Sequence, residues 1–177
     1  RQQLHAHRQA PGEQREGQGV TSIRTSIATA RRDKDYTAAM NLFPYARFLG
    51  IAFSEEEEEG ELLFRLPFSE RNIGNPVMPA LHGGVIGAFM EHAAIMHLLW
   101  NLESAVQPKV VDFSIDYLRP GRPEEAFAVC KVVRQGQRVA NVSVETWQRR
   151  REQVIATARG HFLLSRQDET ILRAESP

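Results

Sequence analysis

The spacing of apolar residues changes period several times along the chain. The stretch "DYTAAMNLFPYARFLGI" places apolar and small residues at helical intervals, breaks at Pro44 and stops at Gly50, a residue favoured just past a helix end. One short amphipathic helix or two are predicted there. "IAFSEEEEEGELLFRLPF" then gives two strand-like runs around an acidic turn, Glu55 to Glu59 followed by Gly60. Between Val85 and Trp100 only Glu91, His92 and His97 are polar, which predicts a long helix with no broad wet face, enclosed nearly all round. Three strand-like stretches follow: "KVVDFSIDYLRPGRP", then "EEAFAVCKVVRQGQRVANVSVETW", which folds back at Gln135-Gly136-Gln137, then "EQVIATARGHFLLS". In the first, Val111, Phe113, Ile115 and Tyr117 share one face and Asp112, Ser114 and Asp116 the other, as on an antiparallel strand with one covered side. Hairpin, buried helix and a meander of about four strands make an α+β order rather than a parallel βαβ one. One helix against one curled antiparallel sheet is the economical solution.

Composition narrows the class without changing this picture. At 177 residues, with 42% hydrophobic and 25% charged content, the chain suits a single globular domain. Lys plus Arg equals Asp plus Glu at 22 each, so no positive surplus points to nucleic acid or an anionic membrane surface, and a small partner is expected. The apolar helix is too short and too interrupted for a membrane span, which needs roughly 20 apolar residues. Cys130 is the single cysteine; it excludes an internal disulfide and leaves neither zinc spacing nor a CxxC pair, so a reducing, cytoplasmic setting is expected. Residues 1–32 mix Arg, Gln, Gly and His without a sustained apolar period or the core of a signal peptide and read as an unstructured arm or a processing remnant. The domain is then 33–167 and a flexible tail 168–177. The acidic run lacks the Asn/Asp/Gly pattern of a calcium loop and reads as a solvated tip.

Glu91 is the chemical anomaly. Enclosing an unpaired carboxylate costs several kcal/mol on the order given for buried ions unless it is protonated or partnered. Its neighbours three and four positions away are Gly87, Ala88, Ala94 and Ile95, so no ion pair within the helix relieves it. Either an Arg or backbone amide elsewhere satisfies it, or it is an acid kept in a dry cleft with a raised pKa, ready to serve as base or nucleophile. Just ahead stands His82-Gly83-Gly84, where two residues without side chains let a ligand oxygen approach the N–H groups that open a helix. Such donors form an oxyanion hole.

These residues resemble a known family. "ALHGGVIGAFMEHAA" is similar to the HGG-plus-acid helix of hotdog-fold acyl-CoA thioesterases of the phenylacetate-degradation (PaaI-like) type, and "VVDFSIDYLRPG", "CKVVRQGQRVANVSVE" and "VIATARGHFLL" follow in the family order. The resemblance spans residues 40 to 165. It implies a helix wrapped by an antiparallel sheet, subunits that join their sheets in homodimers, and dimers that pair into homotetramers. It further implies that the Gly83 N–H polarises the thioester carbonyl, that Glu91 attacks it or activates water, and that His82 orients substrate or water. The family's usual Asp is Glu91 here, an Asn expected six residues before the His falls one further away at Asn75, and Val110 replaces a frequent Ser or Thr. The "RQGQR" turn resembles the segment lying near bound CoA, so Arg134 and Arg138 are expected to meet its phosphates; Gly84, Asn75 and His92 complete the expected substrate contacts.

Helix geometry adds an argument of its own. Gly83 and Glu91 are eight positions apart, about 12 Å along one helix, too far for one small carbonyl to meet both. A site combining Gly83 of one subunit with Glu91 of its neighbour is therefore expected. His92 and His97 lie about 140° apart around the helix and do not share a face as the ligands of an HExxH helix do. No metal and no cofactor are expected: thioester hydrolysis needs a polarised carbonyl and an activated water or carboxylate. Arg149 to Arg151 read as solvated charges at a turn, and Asp112 and Asp116 as interface or solvent-facing. Two other functions fit the same residues: a non-catalytic acyl-CoA-binding domain, and an enoyl-CoA hydratase or dehydratase using His92 beside Glu91.

Overall fold

A computed structural model of the chain describes residues 19–56, 61–101 and 107–164. Helices α1 (Gly19–Arg32), α2 (Tyr36–Asn41) and α3 (Pro44–Leu49) come first. Asp35 caps α2 by accepting the Ala38 N–H at 2.8 Å, and α3 ends at Gly50, left-handed at φ 73°. Strands β1 (Ala52–Glu55) and β2 (Leu62–Leu66) form the expected hairpin; its tip, residues 57–60, lies outside the described residues. A small ribbon, β3 (Ile73–Asn75) with β4 (Ala80–Leu81), leads into the long helix α4 (Gly83–Asn101). Four strands complete the unit: β5 (Lys109–Tyr117), β6 (Ala126–Gln135), β7 (Val139–Trp147) and β8 (Ala156–Leu163).

The main sheet is antiparallel, in the order β1-β2-β6-β7-β8-β5. Several of its inward positions are small: Ala126, Ala128, Ala140, Ala156 and Ala158 are buried. That leaves room for the large side chains of α4, among which Phe89, Met90, Met96 and Leu98 are at most 1% exposed. At the carboxyl end of the helix Trp100 meets Tyr36 and Phe53 at centroid distances of 5.2 and 5.0 Å. Ring edges and apolar faces thus tie the first helices to the hairpin and to α4.

Two sequence expectations change. The four-strand meander is a three-strand one: β5 pairs with β8 at the far edge, from Lys109↔Leu163 to Tyr117↔Ala156, because the chain leaving α4 enters the sheet on the side away from the first hairpin and β6 to β8 fill the space between. The segment before residue 33 is not wholly an unstructured arm. Ile27 and Ala30 of α1 are each 4% exposed in the core, and an Arg31 Nη donates to the Trp100 carbonyl at 3.0 Å, satisfying an acceptor at the end of α4. Ile23, Ile27 and Ala30 do recur at helical spacing, but among Thr, Ser and Arg they make too narrow a stripe to stand out. Residues 1–18 and the tail 168–177 lie outside the described residues.

Candidate active site

The site is built where β4 hands the chain to α4. The Leu81 N–H donates to the Gly121 carbonyl at 2.9 Å and the His82 N–H to the Asn72 carbonyl at 2.8 Å, fixing both residues before the helix starts. His82 is exposed, and its Nδ1 accepts the Gly84 N–H at 2.9 Å. With Nδ1 an acceptor, the neutral imidazole carries its proton on Nε2, which points a donor outward. The next carbonyls and amides are used too: Val85 and Ile86 donate to the His82 carbonyl at 2.9 and 3.1 Å. The Gly83 N–H, by contrast, has no acceptor among the described residues. It stands at the positive end of a 19-residue helix, where an oxygen carrying partial negative charge is stabilised.

Tyr117, from the end of β5, closes this corner. Its hydroxyl donates to the Gly83 carbonyl at 2.7 Å, and a Cβ at Gly83 would stand 3.2 Å from its ring, so glycine is the residue that lets the strand approach. Gly83, Tyr117, Leu81, Ile86 and Arg119 line a cleft of about 340 Å³. Tyr117 escapes a sequence reading because it lies 34 residues from Gly83 and only the pairing of β5 with β8 brings it there.

The other expected site residues are dispersed. Glu91 lies two turns along α4 and is half-buried, not enclosed: the sheet and the shorter helices cover most of α4 but leave open a stripe through Gly84, Ala88 and Glu91, at helical spacing. Its carboxylate has no hydrogen-bond or ion-pair partner among the described residues. His92 does not pair with it; His92 Nδ1 contacts the Ala88 carbonyl at 2.8 Å, between Phe43 and Tyr45. His97 sits near Asn101, and burial pushes its pKa down while the charge of Glu61 opposes. Asn75 spends its Oδ1 on the Val77 and Met78 N–H groups at 2.9 and 3.2 Å, a local turn rather than a free contact. Arg134 and Arg138 are exposed at the β6–β7 turn, the opposite end of the sheet from Gly83. Asp112 is solvent-facing and holds His161 Nδ1 at 2.9 Å, while Asn141 meets the other ring nitrogen at 2.9 Å. Among the described residues no three His, Cys, Asp or Glu side chains converge as metal ligands, and no helix is long and apolar enough to cross a membrane.

The chain is similar in sequence and fold to known proteins. The sequence model of the thioesterase superfamily matches residues 78–155, the span from β4 through β7. A medium/long-chain acyl-CoA thioesterase, YigI, of Salmonella typhimurium is 30% identical over 138 residues, covering 68% of this chain and 87% of that protein. A crystal structure from Chromobacterium violaceum is 47% identical, with a TM-score of 0.67 over 81% of this chain and 99% of its own. The PaaI protein of the Escherichia coli phenylacetic acid degradation operon, 20% identical, shares the fold at a TM-score of 0.60 over 80% of this chain and 98% of its own. The chain belongs to the thioesterase superfamily and is a thioester hydrolase of the α+β hotdog fold, a long helix against a large antiparallel sheet.

Proposed function

We propose that the protein hydrolyses acyl-CoA thioesters to free acid and CoA at a site shared by two subunits. The observation that carries this reading is the unpartnered Gly83 N–H at the mouth of α4, on the wall of a cleft beside Tyr117. In this reading the thioester carbonyl oxygen accepts that N–H, so charge developing on the oxygen meets a fixed donor and the positive end of a helix. Glu91 then takes a proton from water as the water adds to the carbonyl carbon, or adds to that carbon itself to give a mixed anhydride that water afterwards hydrolyses to the free acid and the regenerated carboxylate. The C–S bond breaks and CoA leaves as the thiolate. His82, with its outward Nε2–H, orients the substrate or the water.

Sharing follows from lengths. Gly83 and Glu91 stand about 12 Å apart on one helix, so the carboxylate is supplied by the partner subunit. Strand β5 is suited to bring the two together: it is the sheet's edge, and Val110, Val111, Tyr117 and Leu118 on and just beyond it are 36 to 63% exposed. An edge of free backbone groups with apolar side chains pairs readily with a second copy. Antiparallel pairing of two β5 strands lays one α4 beside the other in opposite direction. It also brings the partner's "RQGQR" turn, about 26 Å from Gly83 in its own chain by strand rise, toward this Gly83, where Arg134 and Arg138 meet CoA phosphate. Gly84 and His92 line the approach, and pairing of dimers into tetramers is part of the same proposal.

The CoA thioester is favoured by the YigI relative, named a medium/long-chain acyl-CoA thioesterase, so medium and long chains are the first substrates to try. The test is free-thiol release from short, medium, long and aromatic acyl-CoAs by the parent and by Glu91→Gln. Turnover that collapses in the variant while fold and assembly persist supports the reading. Undiminished turnover removes Glu91 from the chemistry, and tight binding without turnover by the parent makes the protein a ligand-binding domain instead.

A further inference from the structure

A cleft of about 630 Å³ lies beside the Gly83 corner and is lined by Arg119, Arg122, Arg149, Arg150, Glu124 and Gln148. Four arginines and one glutamate therefore line it, a local positive surplus in a chain whose basic and acidic residues are equal in number overall. The cleft is built rather than incidental. Gln148, 6% exposed, accepts the Arg122 N–H at 2.8 Å, and its Nε2 reaches the Arg122 and Glu124 carbonyls at 3.0 and 3.1 Å. This side chain staples the segment after β5 to the segment after β7. Arg119 is held by the Val154 carbonyl, and Arg149 pairs with Glu124 at 2.8 Å. Arg122 and Arg150 are exposed, and their guanidinium groups have no partner among the described residues. They are the two cations left for a ligand.

Position selects the ligand. Arg119 and Pro120 line both this cleft and the smaller one at Gly83, so one extended molecule can occupy the two. We infer that the arginine cleft holds a phosphate group of the substrate's CoA while the thioester lies at Gly83. Guanidinium forks match phosphate oxygens in pairs and keep their charge at any working pH. The inference rests on the acyl-CoA reading proposed above and adds a phosphate subsite that belongs to the same chain as Gly83. Arg134 and Arg138 enter from the partner and meet a different phosphate, since CoA carries both a 5′-diphosphate and a 3′-monoester.

The test compares the parent with Arg122→Ala, Arg150→Ala and the double variant, and uses Arg47→Ala on α3 as a control for the loss of one charge. Substrates are the acyl-CoA turned over fastest and the same acyl group on pantetheine, which lacks the phosphorylated adenosine. Each variant should raise KM for acyl-CoA about ten- to a hundredfold, the equivalent of a lost charge-assisted hydrogen bond. The kcat, the kinetics with acyl-pantetheine and the control should stay at parent values. Adenosine 3′,5′-bisphosphate should inhibit the parent competitively and the double variant far less. Unchanged KM for acyl-CoA, equal losses on both substrates, or non-competitive inhibition would overturn the assignment, the last by giving the cleft to a separate anion. Should the parent hydrolyse neither thioester, the proposed function fails and calorimetric binding of the bisphosphate still decides the cleft. Weaker binding by the double variant upholds it, and equal binding rejects it.

Discussion

Replacing Gly83 by Ala separates the structural role of this position from its chemical one. The added methyl meets the Cζ, Oη and Cε1 atoms of Tyr117 at 3.2, 3.3 and 3.4 Å, closer than comfortable packing. The tyrosine is 53% exposed, so its ring can retreat by a few tenths of an ångström, weakening its 2.7 Å hydrogen bond to the Gly83 carbonyl. Losing that bond costs at most about 0.5–1.5 kcal/mol. Alanine in place of glycine returns about 0.5–1 kcal/mol of helix propensity. The two effects nearly cancel, so urea unfolding should show a stability change within about 1 kcal/mol. Turnover responds differently, because the methyl stands beside the N–H assigned to the thioester carbonyl. Removing one oxyanion donor outright costs about 10²–10³ in kcat, and partial displacement should still lower thiol release by about tenfold or more. A folded Gly83→Ala variant with parental kcat would refute the reasoning and take Gly83 out of the site.

Three further outcomes are open to direct measurement. Ile27→Ala should destabilise the fold by about 2 kcal/mol or more in urea unfolding, since Ile27 is 4% exposed; a change near zero would detach α1 from the cooperative unit. Burial holds His97 below its ordinary value of 6.5, with the charge of Glu61 opposing. The unfolded chain therefore takes up the proton first, and stability should fall as pH drops below about 6.5 and level off once native His97 protonates. The decline should be absent in His97→Gln, and parallel stability curves for the two proteins would contradict it. Burial likewise pushes the Cys130 thiol well above its usual range, so a thiol reagent such as DTNB should label Cys130 only at the rate of unfolding; rapid labelling of the native protein would count against the packing around β6.

What the sequence could and could not tell follows from where the information sits. The helix at 83–101, the break at Pro44, the stop at Gly50 and the fold-back at Gln135-Gly136-Gln137 are local patterns, and the structure has them. Strand order is not local: nothing within "KVVDFSIDYLRPG" distinguishes pairing with β6 from pairing with β8. The same limit applies to Tyr117, whose contact with Gly83 exists only because β5 takes the edge. Glu91 shows a different failure. A helix that is apolar all round reads as enclosed, yet in a single chain a stripe through Ala88 and Glu91 stays open; this is the face that the proposed second subunit covers. Arg149 and Arg150 read as solvated turn charges and are exposed in the structure; that they line a cleft with Arg122 depends on Gln148, which ties the two segments together across 26 residues.

Mixing two disabled variants tests the shared site most directly. Gly83→Val and Glu91→Gln are each prepared as stable, inactive protein, then unfolded together, refolded and assayed for thiol release. If each site joins Gly83 of one subunit to Glu91 of the other, half the dimers are mixed and each holds one intact site, so activity should return to about a quarter of the parent's. Mixed dimers that form, as native mass spectrometry would show, and remain inactive would place both residues' roles within a single chain and contradict the account.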